Sequence, residues 1–245
     1  LSLVSKSDSL INIHLPINQN ALIESKKRLV FDELFLLQMK FLLRKRKNNK
    51  KLTIQKSIKK NFLLKDFLNK VPFQLTKSQE KVLDEIKSDL SDLTPMSRLL
   101  QGDVGSGKTI IAIASLLIEL EKDQQGALMV PTEVLASQHY KNLIQFLNPL
   151  LVSVELLTGN TPQKKRKEIL TNLKNGMVDI LVGTHALFED KVVFNSLGMV
   201  VIDEQHRFGV TQRNRLLNKG ENTNLLSMTA TPIPRTLALS LYGDL

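Results

Sequence analysis

The chain has 245 residues, enough for one large domain or one domain with an appendage, and 42% of them are apolar, which excludes global disorder. It contains no Cys, so it has neither a disulfide framework nor a thiolate metal site, and no apolar run is long enough to cross a bilayer. The formal net charge of +10 is concentrated: residues 26–70 hold 15 Lys/Arg against 3 Asp/Glu. Such a block can collect phosphates, or it can be a solvated helix face or basic linker.

The N-terminal LSLVSKSDSL lacks the charged start, apolar middle and cleavage site of a signal peptide. It also lacks an initial Met, which suits a fragment or a processed product. HLPINQN at 14–20 reads as a loop. Residues 26–47 predict one long helix with an apolar stripe through Leu29, Leu36, Leu37 and Leu43, with Phe41 nearby. The basic, poorly periodic stretch that follows reads as a linker or surface segment, and Val71-Pro72 marks a boundary. Two regions are therefore expected: a basic linker region over 1–70 and a nucleotide-binding domain over 71–245.

From residue 73 short apolar runs alternate with helix-length stretches. Strands are expected at 98–101, 126–131, 153–158, 179–184, 198–204 and 224–230. Helices are expected near 75–90, 108–121, 133–147, 162–174, 211–218 and 235–242. That alternation predicts an α/β fold with a parallel sheet covered by helices on both faces.

Gly102-Asp103-Val104-Gly105-Ser106-Gly107-Lys108-Thr109 fits G-x-x-x-x-G-K-[ST], between a strand and an apolar helix. Glycines permit the torsions that turn backbone N–H groups toward phosphate oxygens, and the helix adds its positive end. Lys108 suits the β- and γ-phosphates, and the Thr109 hydroxyl suits Mg²⁺. GMVVIDEQH then carries an apolar strand into Asp203 and Glu204. Asp203 suits the metal, and Glu204 suits polarisation of an attacking water. No acceptor pocket is signalled as for a kinase, and no N-K-x-D guanine reader is present. ATP-driven motors remain.

The order LTKSQEKVLDEI, GDVGSGKT, VPTEVLASQH, VGTHAL, DEQHRFGV and TATPIPRT resembles that of superfamily 2 helicases. DEQHRFGV and TATPIPRTLA narrow it to the branch that RecG-type fork-remodelling helicases share with the transcription-repair coupling factor. Gln205 and Ser106 lean toward the RecG type, and FDELFLLQMKFLLRKRK resembles the long helix joining a wedge domain to the motor. The resemblance covers nearly the whole chain, loosely before residue 20 and over 48–65. It implies a RecA-like P-loop motor lobe using ATP and Mg²⁺ on branched or forked DNA, in a bacterial cytoplasm or an organelle of bacterial origin.

Residue by residue, it implies that Gln79 reads adenine. Gly102, Asp103, Gly105, Ser106, Gly107, Lys108 and Thr109 form the phosphate cradle, and Asp203 and Glu204 serve metal and water. His206 links hydrolysis to the coupling residues Thr229, Ala230 and Thr231. Pro131, Thr132 and Glu133, with Gly183, Thr184 and His185, sit where such motors touch the DNA backbone.

Other readings stand beside these. Thr132 can be a helix N-cap, His185 a satisfied loop histidine and His139 a structural helix residue. Lys164, Lys165, Arg166 and Lys167 can form a solvated face, and Thr231-Pro232-Ile233-Pro234 a rigid strand-to-helix turn. The resemblance further implies a second RecA-like lobe with an arginine finger, and a wedge domain ahead of residue 1; neither is expected within these residues. On that expectation the chain alone binds ATP·Mg²⁺ weakly, hydrolyses it poorly and does not unwind. Two alternatives remain: a fragment of the coupling factor, or a non-catalytic basic DNA-binding product.

Overall fold

The computed structural model describes residues 2–48 and 62–231. They form two compact units divided within the basic stretch near residue 50. In the first, α1 (Lys6–His14) packs on α2 (Gln19–Asn48). Ser5 caps α1 by accepting from the Asp8 amide. Ser9 and Ser25 are the residues this unit buries among those described, and each hydroxyl is satisfied by a carbonyl of its own helix, Ser5 O and Ala21 O. The long helix expected from 26 begins seven residues earlier, and Leu36 and Leu43 of its stripe stay exposed.

The second unit begins its described part with α3 (Leu63–Lys70), whose Phe67 is fully buried and meets Phe146 edge-on. α3 packs on helices of the sheet layer, so the packed unit reaches upstream of the Val71-Pro72 boundary read from the sequence. Then come α4 (Lys77–Ser91), β1 (Ser97–Gln101), α5 (Lys108–Leu120), β2 (Gln125–Met129) and α6 (Glu133–Leu147). β3 (Val154–Leu157), α7 (Gln163–Lys174), β4 (Ile180–Gly183), β5 (Leu197–Ile202), α8 (Val210–Leu217) and β6 (Asn224–Thr229) complete it. The helix expected at 235–242 and the Pro232–Pro234 part of the rigid turn lie outside the described residues.

The six strands make one sheet in the order β1-β6-β5-β2-β4-β3, with every neighbouring pair parallel. β2, β4, β5 and β6 are buried at every position, which requires cover on both faces and explains their unbroken apolar runs. α5 is buried at every position from Ile110 to Leu120, all of them apolar except Ser115 and Glu119, because it lies between the sheet and α3 and α4. Parallel strands all end on one side, so the segments following β1, β2, β4, β5 and β6 share one edge of the sheet. At the opposite edge a cavity of about 540 Å³ opens among Leu90, Pro95, Lys122, Ser196 and Lys219.

Candidate functional site

The glycine-rich loop leaves β1 at Gly102, whose N–H donates to Thr229 O at 3.3 Å. Gly105 has φ +82° and Gly107 φ +84°, the left-handed region that residues with a Cβ adopt at a cost. Gly107 also caps α5, and a Cβ there would press on the Gln79 amide nitrogen. A Cβ at Gly102 would lie 2.7 Å from Ser106 Oγ. The loop therefore keeps its tight curvature only with glycine at these places, while Asp103 to Ser106 remain exposed. Lys108 folds back into it, donating from Nζ to Gly102 O at 2.6 Å and Asp103 O at 2.8 Å. Thr109 is the second residue of α5.

Gln79 is held at both ends of its amide. Its Oε1 accepts from Thr76 N at 2.9 Å within the capping box that starts α4, and its Nε2 donates to Ser106 O at 2.8 Å. It thus ties α4 to the glycine-rich loop. One N–H and one lone pair remain for a ligand.

Asp203 and Glu204 follow β5. The Asp203 amide donates to Met129 O at 2.9 Å, continuing the β5–β2 ladder, and its carboxylate Oδ1 accepts from Glu204 N at 3.0 Å. Glu204 takes φ +50°, an unusual torsion for a residue with a side chain, and opens the 3-10 turn Gln205–Arg207. Gln205 is 1% exposed and accepts from Arg213 Nη1 at 3.2 Å. His206 lies in that turn, and its side chain is outside the described residues. Asp203 Oδ2 is 3.1 Å from His139 Nε2. The histidine read as a structural helix residue therefore touches the acidic motif. Its signal in the sequence is a polar residue in the apolar stripe Ala136, Leu143, Leu147 of α6.

β6 runs between β1 and β5, with Thr229 opposite Gln101 and Ser227 opposite Ile202. Thr229 is fully buried, and its Oγ1 contacts Thr231 Oγ1 at 2.8 Å and accepts from Thr231 N at 3.2 Å. Ala230 lies between them, half-buried.

On the other side of β5, the segments after β2 and β4 lie next to each other, joined by Val130 N donating to Gly183 O at 3.0 Å. Thr132 is exposed and caps α6, accepting from Leu135 N at 3.3 Å. Pro131 is half-buried. Glu133 accepts from Asn160 Nδ2 at 2.6 Å, so its carboxylate braces the turn after β3, which the sequence reading did not single out. Gly183 and Thr184 are buried, whereas His185 is exposed. A Cβ on Gly183 would collide with Leu157 O. The structure thus gives Gly183 a packing role, and the solvent-facing members of the six are Thr132 and His185. In the basic run of α7, Lys165 pairs with Glu155 and Arg166 with Glu189.

The donor chemistry fits a nucleotide with a hard cation. A hydroxyl at Thr109 and a carboxylate at Asp203 are oxygen donors of the kind Mg²⁺ takes. Among the described residues no trio of His, Cys, Asp or Glu gathers as a complete protein metal cage. A cation here would complete its shell with phosphate and water oxygens, the usual pattern for Mg²⁺ at a phosphate site.

The DEAD/DEAH box helicase family model matches residues 76–239. The ATP-dependent DNA helicase RecG of Synechocystis is 50% identical over 99% of this chain and 29% of its own length. The RecG of Bacillus subtilis is 47% identical over 95% of this chain and 34% of its own length. A solved structure of RecG bound to a three-way DNA junction superposes with TM-score 0.87 at 41% identity, covering 99% of this chain and 32% of that one. The DUF1998 helicase MrfA, at TM-score 0.59 and 20% identity, shares the fold. The chain spans about a third of the length of the curated relatives it matches. On the matched family model, the chain belongs to the DEAD/DEAH box helicases, and within them it is similar to the RecG proteins.

Proposed function

We propose that this chain is the ATP-binding first motor lobe, with its linker helix, of a RecG-like DNA helicase that remodels branched or forked DNA. The observation that carries the reading is the shared edge of the sheet: the glycine-rich loop, the Asp203-Glu204 turn, the Thr229–Thr231 segment and the two segments at Pro131 and Gly183 all leave parallel strands at one side. Membership of the helicase family implies nucleotide use.

In this reading Lys108 and the N–H groups of the 102–109 loop bind the phosphates. Thr109 and Asp203 hold Mg²⁺, which neutralises phosphate charge when bound. Glu204 orients water and takes its proton. Gln79 meets the base, and Thr132 and His185 meet the DNA backbone. His206 and Thr229 to Thr231 relay between the two. The lobe is taken over 71–245 and the basic linker region over 1–70, with α3 packed on the helices of the lobe. A second RecA-like lobe supplies the arginine that stabilises the transition state, a contribution of roughly 10³–10⁵ in rate.

The test is binding of a fluorescent ATP analogue and steady-state hydrolysis by the chain, with and without a model fork, beside Lys108→Ala. The expected result is Mg²⁺-dependent binding that Lys108→Ala removes, with slow turnover. Binding that is absent, or indifferent to Lys108→Ala, overturns the nucleotide site. Rapid fork-stimulated turnover overturns the need for a second lobe.

A further inference from the structure

α6 buries a stripe at Ala136, His139, Leu143 and Leu147. Three of these fill the interface as hydrocarbon. His139 is the exception, 9% exposed, with Nε2 3.1 Å from Asp203 Oδ2. The placement follows from the ladder: Met129 of β2 pairs with Ile202 of β5, α6 starts four residues past Met129, and two turns later its buried face meets the residue that follows Ile202.

A carboxylate only accepts, so the proton in this contact sits on Nε2. Nδ1, an acceptor in the neutral ring and a donor in the imidazolium, is buried with no hydrogen-bond partner among the described residues. Leaving a polar atom in that state costs stability. A leucine in the stripe would incur no such cost. The contact that offsets it is the one to Asp203.

Asp203 is consequently fixed at both oxygens. Oδ1 accepts from Glu204 N at 3.0 Å, and Oδ2 accepts from His139. A carboxylate tied by one hydrogen bond can rotate about its last torsion, whereas one tied at both oxygens has a single orientation. We propose that His139 is a positioning residue for Asp203, holding its carboxylate in the orientation that receives the Mg²⁺ accompanying a bound nucleotide. The inference rests on the reading of Asp203 as a metal-binding acid. Groups that orient metal-ligating side chains typically change metal affinity about 10–100-fold when removed.

The test separates the metal from the nucleotide. A fluorescent, non-hydrolysable ATP analogue is bound to the 245-residue chain while Mg²⁺ is titrated, and its affinity is measured again in EDTA. The variants are His139→Leu, which withdraws the donor, and His139→Gln, whose side-chain amide extends one to the carboxylate. His139→Leu is expected to raise the half-saturating Mg²⁺ concentration about 10-fold or more, with affinity in EDTA unchanged. His139→Gln should recover most of the difference. Should His139→Leu melt below the assay temperature, His139→Asn, too short to reach Oδ2, carries the same expectation. A half-saturating Mg²⁺ concentration that stays at the parent value overturns the proposal. So does an equal loss of affinity in Mg²⁺ and EDTA, which would mark a merely structural tie. A parent chain with no Mg²⁺-dependent binding overturns the nucleotide-site reading as well, so the two failures are told apart.

Discussion

Gly183 offers a sharp choice between packing and contact with DNA, and Gly183→Ala decides it. The glycine ends β4, with β2 on one side and β3 on the other. A Cβ there would fall on the carbonyl oxygen of Leu157 and also lie 3.0 Å from Leu187 Cδ2. Leu187 can rotate, but the carbonyl belongs to the backbone of β3 and cannot. Relief requires β3 to move from β4 against a ladder that sets strands about 4.8 Å apart. Overpacking of a tight site costs about 1–3 kcal/mol, and a weakened ladder bond adds about 1 kcal/mol. The sum, about 2–4 kcal/mol, corresponds to a fall in melting temperature of roughly 4–16 °C for a chain of this size. Thermal melting by circular dichroism is the assay, with Gly105→Ala as the comparison. Gly105 has open space around it but φ +82°, so alanine there meets only torsional strain of about 1–2 kcal/mol, confined to an exposed loop. It should lower nucleotide affinity more than melting temperature. If Gly183→Ala melts with the parent while weakening binding to a model fork, the packing argument is refuted and the glycine is a DNA contact.

Buried Gln125 donates to Leu173 O at 2.9 Å and Val178 O at 2.7 Å and accepts from Ser196 N at 3.0 Å. Gln125→Leu strands the Val178 carbonyl and the Ser196 amide, whereas Leu173 O keeps the Gly176 amide at 3.1 Å, and urea unfolding should show a loss of about 2 kcal/mol or more. Glu204→Gln should abolish hydrolysis and keep nucleotide binding, as a rapid-quench assay beside a binding titration would show. Burial holds the Lys219 amine below the usual lysine range. The unfolded chain therefore binds more protons between that depressed value and about 10.4, and stability should rise with pH through that window. Denaturation midpoints across the window should flatten in Lys219→Met. Thr229→Val withdraws the hydroxyl that meets Thr231. It should leave nucleotide affinity unchanged and reduce the difference that fork DNA makes to it, a coupling of typically about 1–3 kcal/mol.

The sheet was legible because parallel strands buried on both faces read as unbroken apolar runs. DILVGT and GMVVIDE each contain a β-strand, and the apolar TIIAIASLLIEL lies in α5. The glycine-rich loop was legible because its glycines answer to torsion and close approach, both local demands. α1 and α3 were not foreseen: each is short, and α3 owes its burial to Phe67 meeting Phe146 across the fold, which no local pattern encodes. Sequence order also could not reveal that Gly183 and Thr184 are enclosed while His185 faces solvent. One-residue differences in exposure at a strand end depend on the neighbouring strand. The His139–Asp203 contact spans 64 residues and arises only once β2 and β5 pair.

Under the proposed function, the strand order also bears on how one lobe would serve both a nucleotide and DNA. β6 lies between the strand that launches the glycine-rich loop and the strand that ends at Asp203. Its last residue, Thr229, takes the Gly102 amide on its carbonyl and the Thr231 amide on its hydroxyl. Lys108 and Asp203 are therefore connected in two ways: across the sheet through β6, the one strand between β1 and β5, and directly through α5, which packs on β5. Beyond Asp203 the next strand is β2, whose following residues open α6, the helix that returns His139 to Asp203. Asp203 therefore has mechanical connections on both sides: through β5 and β6 to Thr229, and through His139 to the helix capped by Thr132. Under the proposed roles, in which Asp203 binds the metal and Thr132 meets DNA, two parallel strands and one histidine would connect the acid to the DNA-binding segments.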